Sequence, residues 1–337
     1  MPSVTKVVIL NWNGRAHLER FLPSVVRYTP PDVEIVVADN GSDDDSLDYV
    51  GARFPTVVLL RLDRNYGYAE GYNRALAMIE ADHYILLNSD IEVTEGWCDG
   101  LTARLESDER IAAVAPKLLA YTDRLKFEYA GASGGFIDWL GYPFCRGRIL
   151  QAIEPDLGQY DDAREVFWAS GACMAVRSDV FRSLGGFDAK FFAHMEEIDL
   201  CWRAQLAGYR VMVDPASVVY HLGGGTLPNN TPRKISLNYR NNLAMLHKNL
   251  SVRSRGFVLF VRMVLDGASA LVFLAQGKHR FFRAVWDAHR DYYRWLPQLR
   301  EQRAAIQAGA VARSGQIYRG FIILRYLLGR RRFGRMM

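Results

Sequence analysis

Short apolar runs alternate with segments of helical spacing through the first ninety residues. Residues 6–10 (KVVIL) are apolar, and 16–26 (AHLERFLPSVV) carry apolar side chains at three- and four-residue intervals. The alternation repeats with 34–39 (EIVVAD) and 44–54, then 57–62 (VVLLRL) and 68–81, and closes with 83–89 (HYILLNS). Buried-type strands, each followed by a helical segment, predict an α/β fold on a mostly parallel, Rossmann-like sheet with helices on both faces. Ligands of such sheets bind beyond the carboxyl ends of the strands.

Polar clusters fall at that edge. Asn11-Trp12-Asn13-Gly14 follows the first strand and Asp39-Asn40-Gly41-Ser42-Asp43 the second. Arg64-Asn65-Tyr66-Gly67 follows the third, and Asn88-Ser89-Asp90 the fourth. One such cluster is a turn; four on one edge predict a site. Downstream, 111–119 reads as a strand, 131–148 as a loop-rich stretch, and 167–181 as strand and turn. Residues 195–209 have helical spacing with Gly208 as the stop. Residues 210–226 read as a strand, a turn at Asp214-Pro215, a second strand and the loop Gly223-Gly224-Gly225-Thr226.

Composition adds a core and a charge asymmetry. Half of the 337 residues are hydrophobic. The four cysteines lack ligand spacing and read as free thiols in a reducing compartment. The opening residues MPSVTKVVILNWNG do not read as a signal peptide. Residues 251–337 hold 17 lysines and arginines against 4 acids, whereas 1–250 hold 25 against 33. A basic C-terminal region on a mildly acidic body predicts an anionic partner, membrane or nucleic acid. Residues 257–275 are nearly long enough to span a bilayer, but Arg262 and Asp266 interrupt them. A charge at the bilayer centre costs ~3 kcal/mol or more, which favours an interfacial or packed helix. The final stretch, QIYRGFIILRYLLGRRRFGRMM, mixes apolar residues with Arg330, Arg331, Arg332 and Arg335, a pattern suited to a helix on anionic lipid.

The segments ILNWNG, VVADNGSDDDS, RNYGYAEGYNRAL, LLNSDIEV, GGFDAKFFAHMEEIDLCWRAQLAGY and YHLGGGT occur in an order and spacing that resembles family 2 glycosyltransferases, in particular the rhamnosyltransferase-like and galactofuranosyltransferase-like branch. The resemblance covers residues 4–250. It implies a GT-A-type fold and an inverting, metal-dependent enzyme. It also implies a catalytic domain over 1–250, with a nucleotide-sugar half to about 120 and an acceptor half from 121; the motifs do not cover the tail after 250, whose composition predicts a basic amphipathic helical extension over 251–337.

The resemblance also assigns roles. Asn11, Asn13, Asp39, Asn40, Asn65, Gly67, Asn88 and Ser89 become donor-binding residues, with Asp39 near the nucleotide base and Gly67 letting the backbone approach phosphate at a helix N-terminus. Asp90 and His221 become ligands of Mg²⁺ or Mn²⁺; the family's usual D-x-D is here Asn88-Ser89-Asp90. Glu197 becomes the base that deprotonates the acceptor, with Glu196 beside it raising a pKa by repulsion. Asp199 and Arg203, four apart, pair on the same helix. Trp168 and Gly171 fall on the acceptor side, with Trp168 either stacked on a sugar or buried in the core.

The function implied is transfer of a sugar, rhamnose favoured, from a nucleoside-diphosphate donor to a glycan or lipid-linked glycan in cell-surface polysaccharide synthesis. It would take place in the cytoplasm, on the inner face of the membrane, with the C-terminal tail on anionic lipid and no nucleic-acid partner. The alternatives are a nucleotidyltransferase of similar fold and a non-catalytic glycan- or nucleic-acid-binding protein. The first would carry a Gly-rich basic loop after strand one, which NWNGRAHLE lacks.

Overall fold

Period-two alternation within the buried strands sorts side chains onto the two faces of one sheet. In β1 (Thr5–Asn11), Val7 and Ile9 pack with Leu18, Leu22 and Val25 of α1 (Arg15–Tyr28), while Val8 packs on the opposite face. The chain is described here by a computed structural model covering residues 3–223, 231–334 and 336. The order continues with β2 (Glu34–Asp39), α2 (Ser46–Arg53), β3 (Val58–Arg61), α3 (Gly67–Ala77), β4 (His83–Asn88), β5 (Ile91–Val93), α4 (Asp99–Ser107) and β6 (Ile111–Ala120). Ala69, Tyr72 and Ala75 of α3 cover the Val8 face.

The first four of these strands are parallel in the order β3-β2-β1-β4, as the alternation predicts. Order reverses at β1, which pairs β2 on one side and β4 on the other; crevices form at such points. Register brings the strand ends level, with Asn11 opposite Asp39 and Leu10 opposite Asn88.

Beyond β4 the sheet is mixed rather than mostly parallel, because later segments insert and pair antiparallel among the parallel strands. The chain leaves through β7 (Asp123–Phe127), β8 (Gly135–Asp138), β9 (Pro143–Cys145), β10 (Arg148–Ile149), β11 (Ala152–Ile153) and β12 (Arg164–Glu165). It re-enters as β13 (Cys173–Arg177), antiparallel between β4 and β6. The stretch 131–148, predicted as loop, supplies strands of a second, five-stranded sheet. After α5 (Ser178–Ser183) and α6 (Glu196–Leu206), β14 (Arg210–His221) is one strand with a bulge between Asp214 and Val218, where the sequence suggested two.

Four more elements close the body: α7 (Pro232–Asn249), α8 (Val252–Ala275), α9 (His279–Ala308) and β15 (Ile317–Tyr318), followed by the short α10 (Ile322–Leu327). β15 adds a parallel strand to the second sheet beside β8. The Ile322 N–H donates to Asp138 at 3.0 Å, and Phe333 packs on Phe136, Phe144 and Tyr160. The final stretch therefore lies against the second sheet instead of forming one amphipathic helix. Arg335 lies outside the described residues.

A buried ion network ties α6 to these later helices. Asp199 accepts from Arg203 at 2.9 Å, Lys248 at 3.1 Å and Asn249 at 2.8 Å, and Lys248 also reaches Asp188 at 2.6 Å. The Asp199–Arg203 pair is the one the spacing predicted. Removing one partner of a buried network strands the others. Lys248→Ala is expected to destabilise the fold by about 3–5 kcal/mol, read as a lower urea midpoint at unchanged slope.

Candidate functional site

The level strand ends open into two adjoining cavities. The first, about 420 Å³, is lined by Trp12, Asn13, Asn40, Asn65, Ser89 and Arg233 among others. The second, about 400 Å³, is lined by Asp90, Glu128, Gly171, Glu196, Glu197 and His221 among others. Tyr68, Asn88 and Ala193 line both.

Several expected donor-binding residues build the rim. Asn11 donates to Asp39 at 3.1 Å and Ser46 at 2.9 Å. Both Asp39 oxygens accept locally, from Asn11, the Ser42 hydroxyl and the Ser42 N–H. Asn11 and Asp39 are thus buried beneath the loops, not on the cavity wall. Asn13, at a positive φ of 50°, accepts from the Asp43 N–H at 2.9 Å. Asn40 accepts from the Tyr66 N–H at 3.0 Å and donates to the Gly67 carbonyl at 2.9 Å, while Asn65 accepts from the Gly67 N–H at 2.8 Å. Gly67 has φ of +78°, and a Cβ there would meet the Phe192 ring at 2.5 Å, so a larger residue closes this corner.

Asp90 and His221 meet at the end of the sheet. Asp90 follows β4, and His221 ends β14 opposite Ile91 of β5. His221 Nε2 stands 3.2 Å from Asp90 Oδ1, and its Nδ1 stands 3.3 Å from Glu128 Oε1 without hydrogen-bond alignment. Burial acts to raise Asp90, but the hydrogen bond and charge of His221 outweigh it and hold the carboxyl below its ordinary value. Burial acts to discharge His221, yet Glu128 and Asp90 outweigh it and raise the imidazole to about 10. Glu128 was not singled out from sequence, because its neighbours 126–130 carry no motif. Gly224, Gly225 and Thr226 of the glycine loop lie outside the described residues.

The donor set fits a divalent cation. Asp90 offers a carboxylate oxygen, His221 a ring nitrogen once deprotonated, and Glu128 a carboxylate behind the other ring nitrogen. Among the described residues no three or more His, Cys, Asp or Glu side chains are grouped so that they could hold a metal ion by themselves. The set therefore suits a metal shared with a phosphate-bearing ligand.

The acid pair opens α6 after a contorted approach. Phe192, His194 and Met195 all have positive φ, of 64°, 72° and 75°. For bulky residues such backbone costs ~1–3 kcal/mol each and persists only where the surroundings enforce it. Asn241 of α7 supplies that enforcement: its amide donates to the carbonyls of Phe191 at 3.0 Å, Ala193 at 3.0 Å and His194 at 2.8 Å. Burial raises Glu196 well above the ordinary carboxylate range, with repulsion from Glu197 adding to it, and burial raises Glu197 as well. One oxygen of each, Oε2, is buried without a hydrogen-bond partner. Glu196 is almost wholly buried, whereas Glu197 is partly exposed.

Gly171 lies beside Glu197: a Cβ there would come within 3.0 Å of Tyr68 Oη and 3.8 Å of Glu197 Cβ. Tyr68 Oη donates to the Gly171 carbonyl at 2.5 Å. Trp168 corrects one expectation. It is buried, and its indole N–H donates to the Phe136 carbonyl at 3.0 Å, so it packs the second sheet and does not stack on a sugar.

Residues 6–185 match the model of glycosyl transferase family 2. The chain belongs to that family. It is a glycosyltransferase with a GT-A-type fold, similar at 30% identity over 248 residues to the N-acetylglucosaminyl-diphospho-decaprenol L-rhamnosyltransferase of Mycobacterium tuberculosis, covering 67% of this chain and 78% of that one. It is also 28% identical to the pre-mycofactocin glycosyltransferase of the same organism, over 64% of this chain and 42% of that one. Among solved structures, residues 1–349 of S. aureus TarS in complex with UDP-GlcNAc align at TM-score 0.57 and 14% identity, over 98% of this chain and 93% of that one. GalNAc-T7 with UDP, GalNAc and Mn²⁺ aligns at TM-score 0.56 and 19% identity, over 73% of this chain and about half (48%) of the other.

Proposed function

We propose that this glycosyltransferase is an inverting, metal-dependent enzyme. It moves a sugar, rhamnose favoured, from a nucleoside diphosphate to a hydroxyl of a lipid-linked saccharide. The observation that carries the reading is the shared cavity: Glu196 and Glu197 line the same space as Asp90 and His221, next to a second cavity at the strand switch point. Similarity to the L-rhamnosyltransferase supports the donor sugar and an acceptor of the diphospho-polyprenol type. The lipid part of such an acceptor and the basic C-terminal region together favour a peripheral enzyme on the inner membrane face, with that region toward anionic lipid.

In this reading the nucleotide occupies the first cavity and the acceptor the second. The floor of Asn11, Asp39 and Ser42 keeps the donor loops in place, and Arg233 faces the diphosphate. Glu197 takes the proton of the acceptor hydroxyl. The hydroxyl oxygen attacks the anomeric carbon opposite the diphosphate, whose C–O bond breaks and carries the electron pair away, inverting the centre. Asp90 and His221 would hold Mg²⁺ or Mn²⁺, which when bound neutralises charge on the departing diphosphate.

The test is a screen of nucleotide sugars with Mg²⁺ or Mn²⁺, scored by thermal shift and then by product. Released nucleoside diphosphate supports the reading; released pyrophosphate would make the chain a nucleotidyltransferase. A further expectation concerns Glu128. Glu128→Gln removes the charge behind His221 and is expected to weaken Mn²⁺ binding by roughly 10–100-fold in calorimetric titrations with nucleoside diphosphate present. Unchanged affinity would make Glu128 a loop-building residue only, through its bond to the Ala130 N–H.

A further inference from the structure

The longest apolar segment of the chain is two-sided. Beyond its first turn, which holds Arg253 and Arg255, α8 carries charge at Arg262 and Asp266, and both of these are buried. Arg262 lies over the Tyr142 ring at 3.7 Å and contacts Asp266 at 3.4 Å, and Asp266 in turn faces His289 of α9 at 3.4 Å. This inner face is therefore fastened to the body.

The outer face is different. Between Gly256 and Ala275 every exposed position of α8 is apolar, including Phe257, Phe260, Val264, Leu271, Val272 and Leu274. Trp286 and Tyr293 of α9, one heptad apart, are exposed as well. An apolar groove of about 830 Å³ between the two helices is lined by Met263, Leu271, Phe282, Trp286 and Tyr293, with Arg290 and Arg294 on its wall. Exposed Lys278, Arg280 and Arg283 follow the turn into α9. Apolar residues, exposed aromatic rings and a fringe of cations are the composition of a surface seated in the headgroup region of an anionic leaflet.

We propose that the outer face of the α8–α9 hairpin docks the enzyme onto an anionic bilayer without crossing it. This rests on the peripheral placement given above and puts the main contact on the hairpin; Ile322 and Phe333 hold the final residues on the second sheet, with Arg330, Arg331 and Arg332 exposed beside them. A bilayer span is disfavoured because lipid would have to reach the buried Arg262 and Asp266, breaking their contacts with the body. Asp287 and Asp291 pair with Arg283, Arg290 and Arg294, so with Lys278 and Arg280 the fringe holds five cations against two carboxylates; an anionic leaflet answers that surplus and a neutral protein partner does not.

The test is flotation of the full chain with vesicles of phosphatidylcholine alone and with one-third phosphatidylglycerol. The wild type is expected to float with the anionic vesicles and to come off at high salt and alkaline carbonate. The double variant Phe260→Glu/Leu271→Glu is expected to lose roughly tenfold or more in vesicle affinity. Arg283→Glu/Arg290→Glu is expected to lose a similar amount. Arg330→Glu/Arg331→Glu/Arg332→Glu should float as the wild type does. These positions are exposed, so unfolding temperature should hold in each variant; a fall for Phe260→Glu/Leu271→Glu would show the face covered by protein. Resistance to carbonate, a dimer that Leu271→Glu dissolves, or flotation lost only in the Arg330 triple variant would each overturn the proposal. Flotation needs no donor, so a chain that floats yet transfers no sugar overturns the enzymatic reading and leaves the docking face standing.

Discussion

Glu197→Gln binds donor as the wild type does and transfers sugar about 10²–10⁴-fold more slowly, the range set by losing a positioned general base. Glutamine keeps the size and the backbone bonds of the α6 N-terminus but cannot accept a proton. The pH profile gives a second reading. Burial raises Glu197 above the ordinary carboxylate range. The active form is the carboxylate, so the rate rises with pH along a limb displaced to higher pH than a free glutamate gives. That limb disappears in Glu197→Gln. Glu196 is the member raised further and stays protonated beside the Glu197 carboxylate, so Glu196→Gln leaves the limb in place and retains most transfer. Transfer retained by Glu197→Gln and lost by Glu196→Gln would assign the base to Glu196 instead.

Asp90→Ala removes the only carboxylate in the Asn88-Ser89-Asp90 segment. Donor affinity measured with Mn²⁺ is expected to fall roughly 10²-fold or more and to stop responding to chelator, since one of two protein ligands is gone. The fold should survive. Glu128 remains beside His221 as a counter-charge, so the imidazole is not left alone in a buried position. Thermal shift with Mn²⁺ and nucleotide sugar, against nucleotide sugar alone, separates the two effects. A metal-dependent shift as large as the wild type's would remove Asp90 from the metal site.

The first half of the fold could be read directly because its signals are local. The runs at β1, β2 and β4 are continuously apolar, each ends in a polar cluster, and parallel pairing forces those ends to one edge. The second half was less legible. Residues 131–148 look like loop, since strands of two to four residues such as β8, β9 and β10 are too short to show a period. Trp168 offered two readings with the same composition cost, and only the Phe136 carbonyl decides between them.

Sequence alone determined the family's ordered motifs, the strand-end carboxylate at 90, the acid pair at 196 and 197, and the charge asymmetry of the chain. These depend on residue type and spacing along the backbone. Tertiary structure decided which groups meet. Glu128 reaches His221 across 93 positions, Asn241 holds the carbonyls before α6 from nearly fifty positions away, and the apolar face of α8 is turned outward because Arg262 and Asp266 are anchored inward. Contacts at such separations are set by how whole elements pack, and no local pattern in the chain records them.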